Sequence, residues 1–331
     1  MIGDSQIPVS KIFTIQSVQE FNDICFEIFH FQYNNNEVYR SFSDYLDKGP
    51  DKVNSLYDIP FLPVSFFKSH KIISGNTIPE AYFSSSGTTG SIESRHFIKD
   101  FELYERSFRK GFRTFYGDIT EYTILALLPS YLERKGSSLI YMIDRLMNLS
   151  AHPSNGYYLY NHQDLYLKLK EQKEAGRKTI LFGVSFALLD FIEHYNFSWS
   201  ELIVMETGGM KGRRKELVRE ELHKRIKEGL GLNSVHSEYG MTELLSQAYS
   251  SGDGIYFTPP WMKIMIRDTN DPLSYVEASK TGGINIIDLA NLYSCSFIST
   301  SDLGRISDTG AFEVLGRFDI SDIRGCNLMV E

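Results

Sequence analysis

Cysteine is scarce: Cys25, Cys295 and Cys326 are the only three in 331 residues, too few for a disulfide framework, and no Cys/His cluster has zinc-ligand spacing. Long apolar runs are missing, none approaching the roughly 18 residues of a membrane span. The amino terminus, Met1-Ile2-Gly3-Asp4-Ser5-Gln6, has neither a basic nor an apolar signal region. Positive charge is in the minority, with 34 Lys and Arg against 42 Asp and Glu and a net charge of −8. That balance excludes the cationic field of a general nucleic-acid or anionic-membrane binder. Low-complexity stretches and internal repeats are absent, and 42% apolar with 23% charged residues excludes wholesale disorder. The expectation is a soluble cytoplasmic protein with one large or two ordinary cores. What is abundant is aromatic, 23 Phe and 20 Tyr, pointing to an aromatic-rich core or an apolar ligand site.

Residues 1–75 read as helices joined by turns, with Val18, Phe21, Ile24, Cys25, Ile28 and Phe29 at helical spacing. The prolines of Ile59-Pro60-Phe61-Leu62-Pro63-Val64 exclude a helix interior and favour an extended segment. Apolar runs at Thr123–Leu128, Lys178–Phe182, Glu201–Met205 and Ser234–Ser237 read as buried strands. They alternate with helical patterns at Ser138–Asn148, Asp164–Glu174, Phe186–His194 and Lys211–Gly229. Such alternation predicts an α/β fold with a parallel sheet and crossover helices over 76–250. In the last helical pattern Val218, Leu222, Ile226 and Leu230 form an apolar stripe, so its eight Lys and Arg read as a solvated face. Beyond 250 the pattern changes to short strands at Gly254–Phe257, Met262–Ile266, Gly283–Ile287, Cys295–Ser299 and Phe312–Leu315. The expected division is therefore 1–75 helical, 76–250 α/β core and 251–331 a small β-rich subdomain, packed as one body.

The strongest local signal is Ser84-Ser85-Ser86-Gly87-Thr88-Thr89-Gly90-Ser91. Hydroxyls and glycines in such a run let backbone N–H groups and side-chain donors converge on phosphate oxygens. No Lys follows the second Gly, so this is not a Walker loop, and a polar surface turn is the alternative. Thr207-Gly208-Gly209 and Glu238-Tyr239-Gly240-Met241-Thr242-Glu243 each follow an apolar strand. Ligands of an open parallel sheet sit beyond its strands' carboxyl ends. Glycines there admit a planar ring, Tyr239 offers a stacking face and Glu243 an oxygen ligand for Mg²⁺. A strand-ending turn or a helix start capped by Thr242 are the bland alternatives.

Four segments together carry a family resemblance: Ser85–Gly90, Tyr239-Gly240-Met241-Thr242-Glu243, Thr300-Ser301-Asp302-Leu303-Gly304-Arg305 and Gly316-Arg317-Phe318-Asp319. In this order, over about 235 residues, they resemble the core motifs of the adenylate-forming (ANL) superfamily. Within it, Ile59–Lys68 and the short tail resemble the acyl-protein synthetase (LuxE-like) family, which activates fatty acids for bacterial bioluminescence reductases. The resemblance implies an ANL-type N-terminal domain with parallel and mixed sheets plus the β-rich unit. It implies ATP and Mg²⁺, with Ser85, Ser86, Gly87, Thr88, Thr89 and Gly90 on the phosphates. Thr207, Gly208, Gly209 and Gly240 would line the adenine slot, with Tyr239 against the ring. Thr242 would bond the α-phosphate, Glu243 ligate the metal, Asp302 accept from the ribose hydroxyls, and Arg317 contact ribose or phosphate. The relatives' mobile lid with its lysine lies beyond Glu331, so the resemblance implies a core without it; Lys68, Arg95 and Lys99 are basic residues that could partly substitute. Ile92-Glu93-Ser94-Arg95 stands where relatives often have Pro-Lys, and slower adenylation is expected.

Cys326, in Ile323-Arg324-Gly325-Cys326-Asn327, occupies the position of the acyl-accepting cysteine of the resembled family. Arg324 and Gly325 would favour thiolate formation and reach; a small buried residue in the last turn is the alternative. Cys25 and Cys295 read as core, the latter alternating with Phe297 in a strand. His96, His194 and His236 lack ligand spacing and read as ordinary polar or core residues. The implied activity is ATP-dependent activation of a carboxylic acid, in this family a fatty acid, then acyl transfer to Cys326 and to a partner reductase. Transfer to coenzyme A or a carrier protein, as in phenylacetate-type ligases, and a degenerate nucleotide-binding scaffold remain open. Leu127-Leu128-Pro129-Ser130-Tyr131 is the candidate wall of the acid site.

Overall fold

The computed structural model describes residues 7, 9–75, 78–85, 92–128, 136–208 and 217–317. Ser86, Gly87, Thr88, Thr89, Gly90, Pro129–Tyr131, Gly209, 211–216 and the tail from Phe318 through Cys326 lie outside the described residues. In chain order the elements begin with α1 (Val9–Ile12), α2 (Val18–Asn35), α3 (Glu37–Tyr45), β1 (Leu62–Pro63), α4 (Phe66–Ser69), β2 (Ala81–Ser84), β3 (Arg95–Ile98) and α5 (Phe101–Tyr116). Next come β4 (Thr123–Leu127), α6 (Ser138–Ser150), β5 (Gly156–Tyr158), α7 (His162–Glu174), β6 (Thr179–Val184), α8 (Ser185–His194), β7 (Ile203–Thr207) and α9 (Arg219–Leu230). The chain continues with β8 (His236–Tyr239), β9 (Ala248–Ser250), β10 (Ile255–Tyr256), β11 (Met262–Arg267), β12 (Gly282–Asp288), a 3₁₀ turn at Leu289–Asn291, β13 (Phe297–Ile306) and β14 (Phe312–Arg317). Two units emerge, each discontinuous in sequence: Met1–Ser107 with Met241–Ser246 and Phe257–Glu331, and Phe108–Gly240 with Gln247–Tyr256.

In the first unit β14, β13, β12 and β11 form an antiparallel sheet, and β1 pairs with β13 in parallel, Leu62 opposite Ile298. The prolines around β1 thus mark an extended edge, where a missing N–H is tolerated. Helix α2 starts at Ser17, whose side chain accepts from Glu20 N, while the Glu20 carboxylate accepts from Gln16 N at 2.7 Å. Its buried face is Phe21, Ile24, Cys25, Ile28 and Phe29. Val18 is not part of it: in the helix's first turn it is 72% exposed. Part of the aromatic content packs here, with Tyr39 stacked on Phe297 at 5.8 Å and Phe29 edge-on to the same ring. Cys295 is wholly buried but lies before β13, not in it, so its burial comes from the preceding turn and not from strand alternation. At Gly282 a Cβ would fall onto the carbonyl oxygen of Arg267 on the neighbouring strand. Gly282→Ala is expected to cost about 1–3 kcal/mol, read as a lowered urea midpoint at unchanged m-value.

The second unit has strand order β5-β4-β6-β7-β8-β9, parallel except for β9. Every residue of β4 and β6 is buried, as strands covered on both faces require. Strand order reverses between β4 and β6, and ligand crevices form at the carboxyl ends of strands at such a point. In α9 Leu222, Ile226 and Leu230 are buried as the spacing predicts. Val218 departs from the expected stripe: its extended backbone caps the helix and its side chain is 69% exposed. Among the described residues no helix is long and apolar enough to cross a membrane.

Candidate functional site

In the first unit, β2 and β3 pair antiparallel and form the stem of the Ser/Gly loop, with Ser84 opposite Arg95. The stem is pinned at its mouth: Ser85 N donates to Ser94 O at 3.1 Å, and Ser94 N donates to Ser85 Oγ at 2.9 Å. The Ser94 side chain hydrogen-bonds the carboxylate of Glu243, which is 6% exposed. Burial pushes the Glu243 pKa up, and Ser94, Arg317 and Lys68 pull it partly back. Arg317 Nε lies 3.2 Å from Asp302 Oδ1, across the β13–β14 pairing of those two residues. The ion pair is lopsided, Arg317 being 81% exposed at the side chain and Asp302 9%, so it adds little stability and leaves the guanidinium accessible. Ser94 thus joins Ser85 to Glu243, the charge of Arg317 acts on Glu243, and Arg317 in turn pairs with Asp302.

The 242–246 turn is held by His96, which the sequence offers as an ordinary polar or core residue, and by Asn291 and Asp288, which carry no signal there. Asn291 Nδ2 donates to the carbonyls of Glu243 and Cys295, both at 2.8 Å, which turns its oxygen toward Nε2 of His96 at 2.9 Å. Nδ1 of His96 lies 2.8 Å from the Thr242 carbonyl oxygen. Both ring nitrogens thus face acceptors, and because burial lowers the imidazole pKa to about 4, the neutral ring donates to one of them and packs against the other. Asp288 accepts from Leu245 N (2.8 Å), Ser246 N (3.0 Å) and Ser246 Oγ (2.6 Å). Behind Asp302, the buried Arg267 donates to Thr300 O at 2.6 Å and to Ile284 O at 2.8 Å. Of the three basic residues considered as substitutes, Lys68 is the one whose charge acts on Glu243. Arg95 lies over Tyr82 and Lys99 over Tyr293.

In the second unit Ser185, Thr207 and Tyr239 stand at the carboxyl ends of β6, β7 and β8, neighbours in one parallel sheet. Ser185 Oγ donates to Gly208 O at 2.7 Å and contacts the Glu206 carboxylate, while Thr207 Oγ1 donates to Glu238 at 2.8 Å. Gly208 has φ +69°, which its lack of a side chain permits. Tyr239 is 9% exposed and packs edge-on to Tyr256 at 6.0 Å. A Cβ on Gly240 would run into Glu238 Oε1, so the glycine makes room for that carboxylate. Desolvation raises the Glu238 pKa to about 7, with Glu206 adding to the rise. Folded Glu238 thus holds its proton above the unfolded value, and its share of stability is lost as pH rises through about 7. Glu238→Gln is expected to flatten the dependence of Tm on pH between 5 and 8, measured by thermal melts.

Among the described residues no group of three or more His, Cys, Asp or Glu could hold a metal ion. The buried, desolvated carboxylate of Glu243 instead suits a hard cation that takes its remaining oxygens from a phosphate-bearing ligand, the usual habit of Mg²⁺.

No protein-family profile and no curated protein matches the sequence. Solved structures do match. ATP-bound MatB from Rhodopseudomonas palustris aligns at TM-score 0.55 and 16% identity over 72% of this chain and 48% of that one. The open conformation of 2-hydroxyisobutyryl-CoA ligase, in complex with 2-HIB-AMP and CoA, aligns at TM-score 0.66 and 12% identity over 91% of this chain and 70% of that one. This chain spans about half the length of ATP-bound MatB. At these identities the likeness is one of fold alone, a mixed α/β architecture shared with these ligases.

Proposed function

We propose that this protein activates a carboxylic acid with ATP. A carboxylate oxygen attacks the α-phosphorus, the bond to the β-phosphate breaks, and pyrophosphate leaves an acyl-adenylate. Two anions meet in that step, so it depends on fixed donors and cations around phosphorus more than on an acid or base. The observation that carries the reading is the Glu243 carboxylate, bonded to Ser94 at the mouth of the loop stem and within the field of Arg317, itself paired with Asp302. Ser85–Gly90 hold the phosphates, Thr242 bonds the α-phosphate, and Asp302 and Arg317 take the ribose. Thr207, Gly208, Gly209, Tyr239 and Gly240 take the adenine. Glu243, together with oxygens of the nucleotide phosphates, would hold Mg²⁺, which when bound would neutralise phosphate charge during the transfer. In the finer reading, as in the LuxE-like family, the acid is a fatty acid and the Cys326 thiolate attacks the acyl carbon. AMP leaves, and the thioester passes to a partner such as an acyl reductase.

The test is incubation with labelled fatty acid, ATP and Mg²⁺. Pyrophosphate release is expected to require the acid, and the protein is expected to gain a hydroxylamine-labile label. Cys326→Ser is expected to keep pyrophosphate release and lose the label; label at the wild-type level in that variant removes Cys326 from the mechanism. A second acceptor is favoured by one finding, that a matched fold belongs to a CoA ligase bound to CoA. Acyl-CoA formed at equal rate by wild type and Cys326→Ser would select it.

A further inference from the structure

Strand β3 carries two polar residues on its buried face, Ser94 just before it and His96 within it, 2% and 1% exposed. Residues two apart on an extended chain point the same way. Both reach the same target: Ser94 bonds the Glu243 side chain and His96 lies against the Thr242 carbonyl. On its other side His96 meets Asn291, which is fully buried and donates to the Glu243 carbonyl. Phe67 of α4 covers the imidazole edge-on at 5.7 Å, so water does not compete for these bonds.

We infer that His96 and Asn291 are positioning residues that fix the Glu243 carboxylate relative to the stem of the Ser/Gly loop and thereby set the affinity for Mg²⁺ accompanying the nucleotide. The inference rests on the nucleotide reading above and assigns it two residues that touch no substrate. The loop stem and the 242–243 turn are far apart in sequence, and the contacts of His96 and Asn291 join them without a covalent link. Removing outer residues that orient a metal-binding side chain typically costs about ten- to a hundred-fold in metal affinity or activity.

The experiment titrates ATP binding with Mg²⁺ in the full chain and follows amide hydrogen exchange over 243–246. His96→Phe and Asn291→Ala are expected to raise the Mg²⁺ concentration for half-maximal ATP binding by about ten- to a hundred-fold. Exchange at Leu245 and Ser246 is expected to quicken in both. His96→Gln, whose amide N–H can still donate to one of the two facing oxygens, is expected to recover most of the Mg²⁺ affinity. Tyr39→Phe, which removes a buried bond to Pro60 O elsewhere in the same unit, is expected to lower Tm without moving the Mg²⁺ midpoint. The inference is overturned if the midpoint stays within two-fold of wild type in His96→Phe and Asn291→Ala, or if Tyr39→Phe moves it as much. Wild-type protein that binds no ATP at any Mg²⁺ concentration overturns the nucleotide reading and this inference together. Wild-type binding with unmoved variants overturns the inference alone.

Discussion

Glu243→Gln is expected to cut acid-dependent pyrophosphate release by about 10²–10³-fold, the scale seen when one preorganised electrostatic group is removed from a reacting centre. The side chain keeps its shape and its bond to Ser94 but loses the charge. Because burial already disfavours the ionised form, the variant is expected to melt at or above the wild-type Tm. Loss of turnover without loss of stability separates a ligand role from a structural one. The pH dependence has a definite sign: the folded pKa is raised, so the carboxylate is lost on acidification at a higher pH than for an ordinary glutamate. Activity is expected to fall with it, on a limb that Glu243→Gln lacks. Equal kcat in the variant, or a Tm lowered by many degrees with turnover intact, would mean that Glu243 only packs the turn.

Asp288→Ala is expected to have the largest effect on stability, about 3–5 kcal/mol, because it strands the Leu245 and Ser246 amides and the Ser246 hydroxyl in a dry interior. Ser246→Ala removes one of those donors and is expected to cost about 1–2 kcal/mol. The sign against pH again follows from the shift. Burial raises Asp288 from 3.8 to about 6, the donors on Leu245, Ser246 and Ala290 only partly opposing. The folded state therefore binds this proton more tightly than the unfolded chain, and the group's stabilisation declines as pH rises from 3.8 through about 6. The gap between wild type and Asp288→Ala is expected to narrow over that range in urea melts. A variant within 1 kcal/mol of wild type at every pH contradicts the account of the turn.

The parallel sheet was legible because β4 and β6 are unbroken apolar runs, and strands buried on both faces leave that trace. Helix α2 was legible by its stripe from Phe21 to Phe29. Where the reading failed, spacing imitated packing: Val218 continues the i+4 series of α9 yet sits before its first turn, and Val18 lies within the first turn of α2 but faces away from its buried side. The Ser/Gly loop and the Tyr-Gly-Met-Thr-Glu turn stood out because their chemistry is local. His96, Asp288 and Asn291 did not, since their bonds reach partners 146, 43 and 195 residues away, and no periodicity encodes a bond of that separation. One signal was available: Ser94 and His96 alternate on a strand next to the loop, the spacing of two side chains on one face. Cys295 shows the reverse case, a correct burial assigned to the wrong element.

The central claim is that the loop stem, Glu243 and the Asp302–Arg317 pair serve acid activation by ATP. Acid-dependent exchange of labelled pyrophosphate into ATP tests it most directly, because only reversible adenylate formation returns the label. The account predicts exchange that requires acid and Mg²⁺ in wild type, survives in Cys326→Ser, and collapses in Glu243→Gln and Asp302→Ala. Exchange indifferent to the acid, or undiminished in Glu243→Gln, would contradict it.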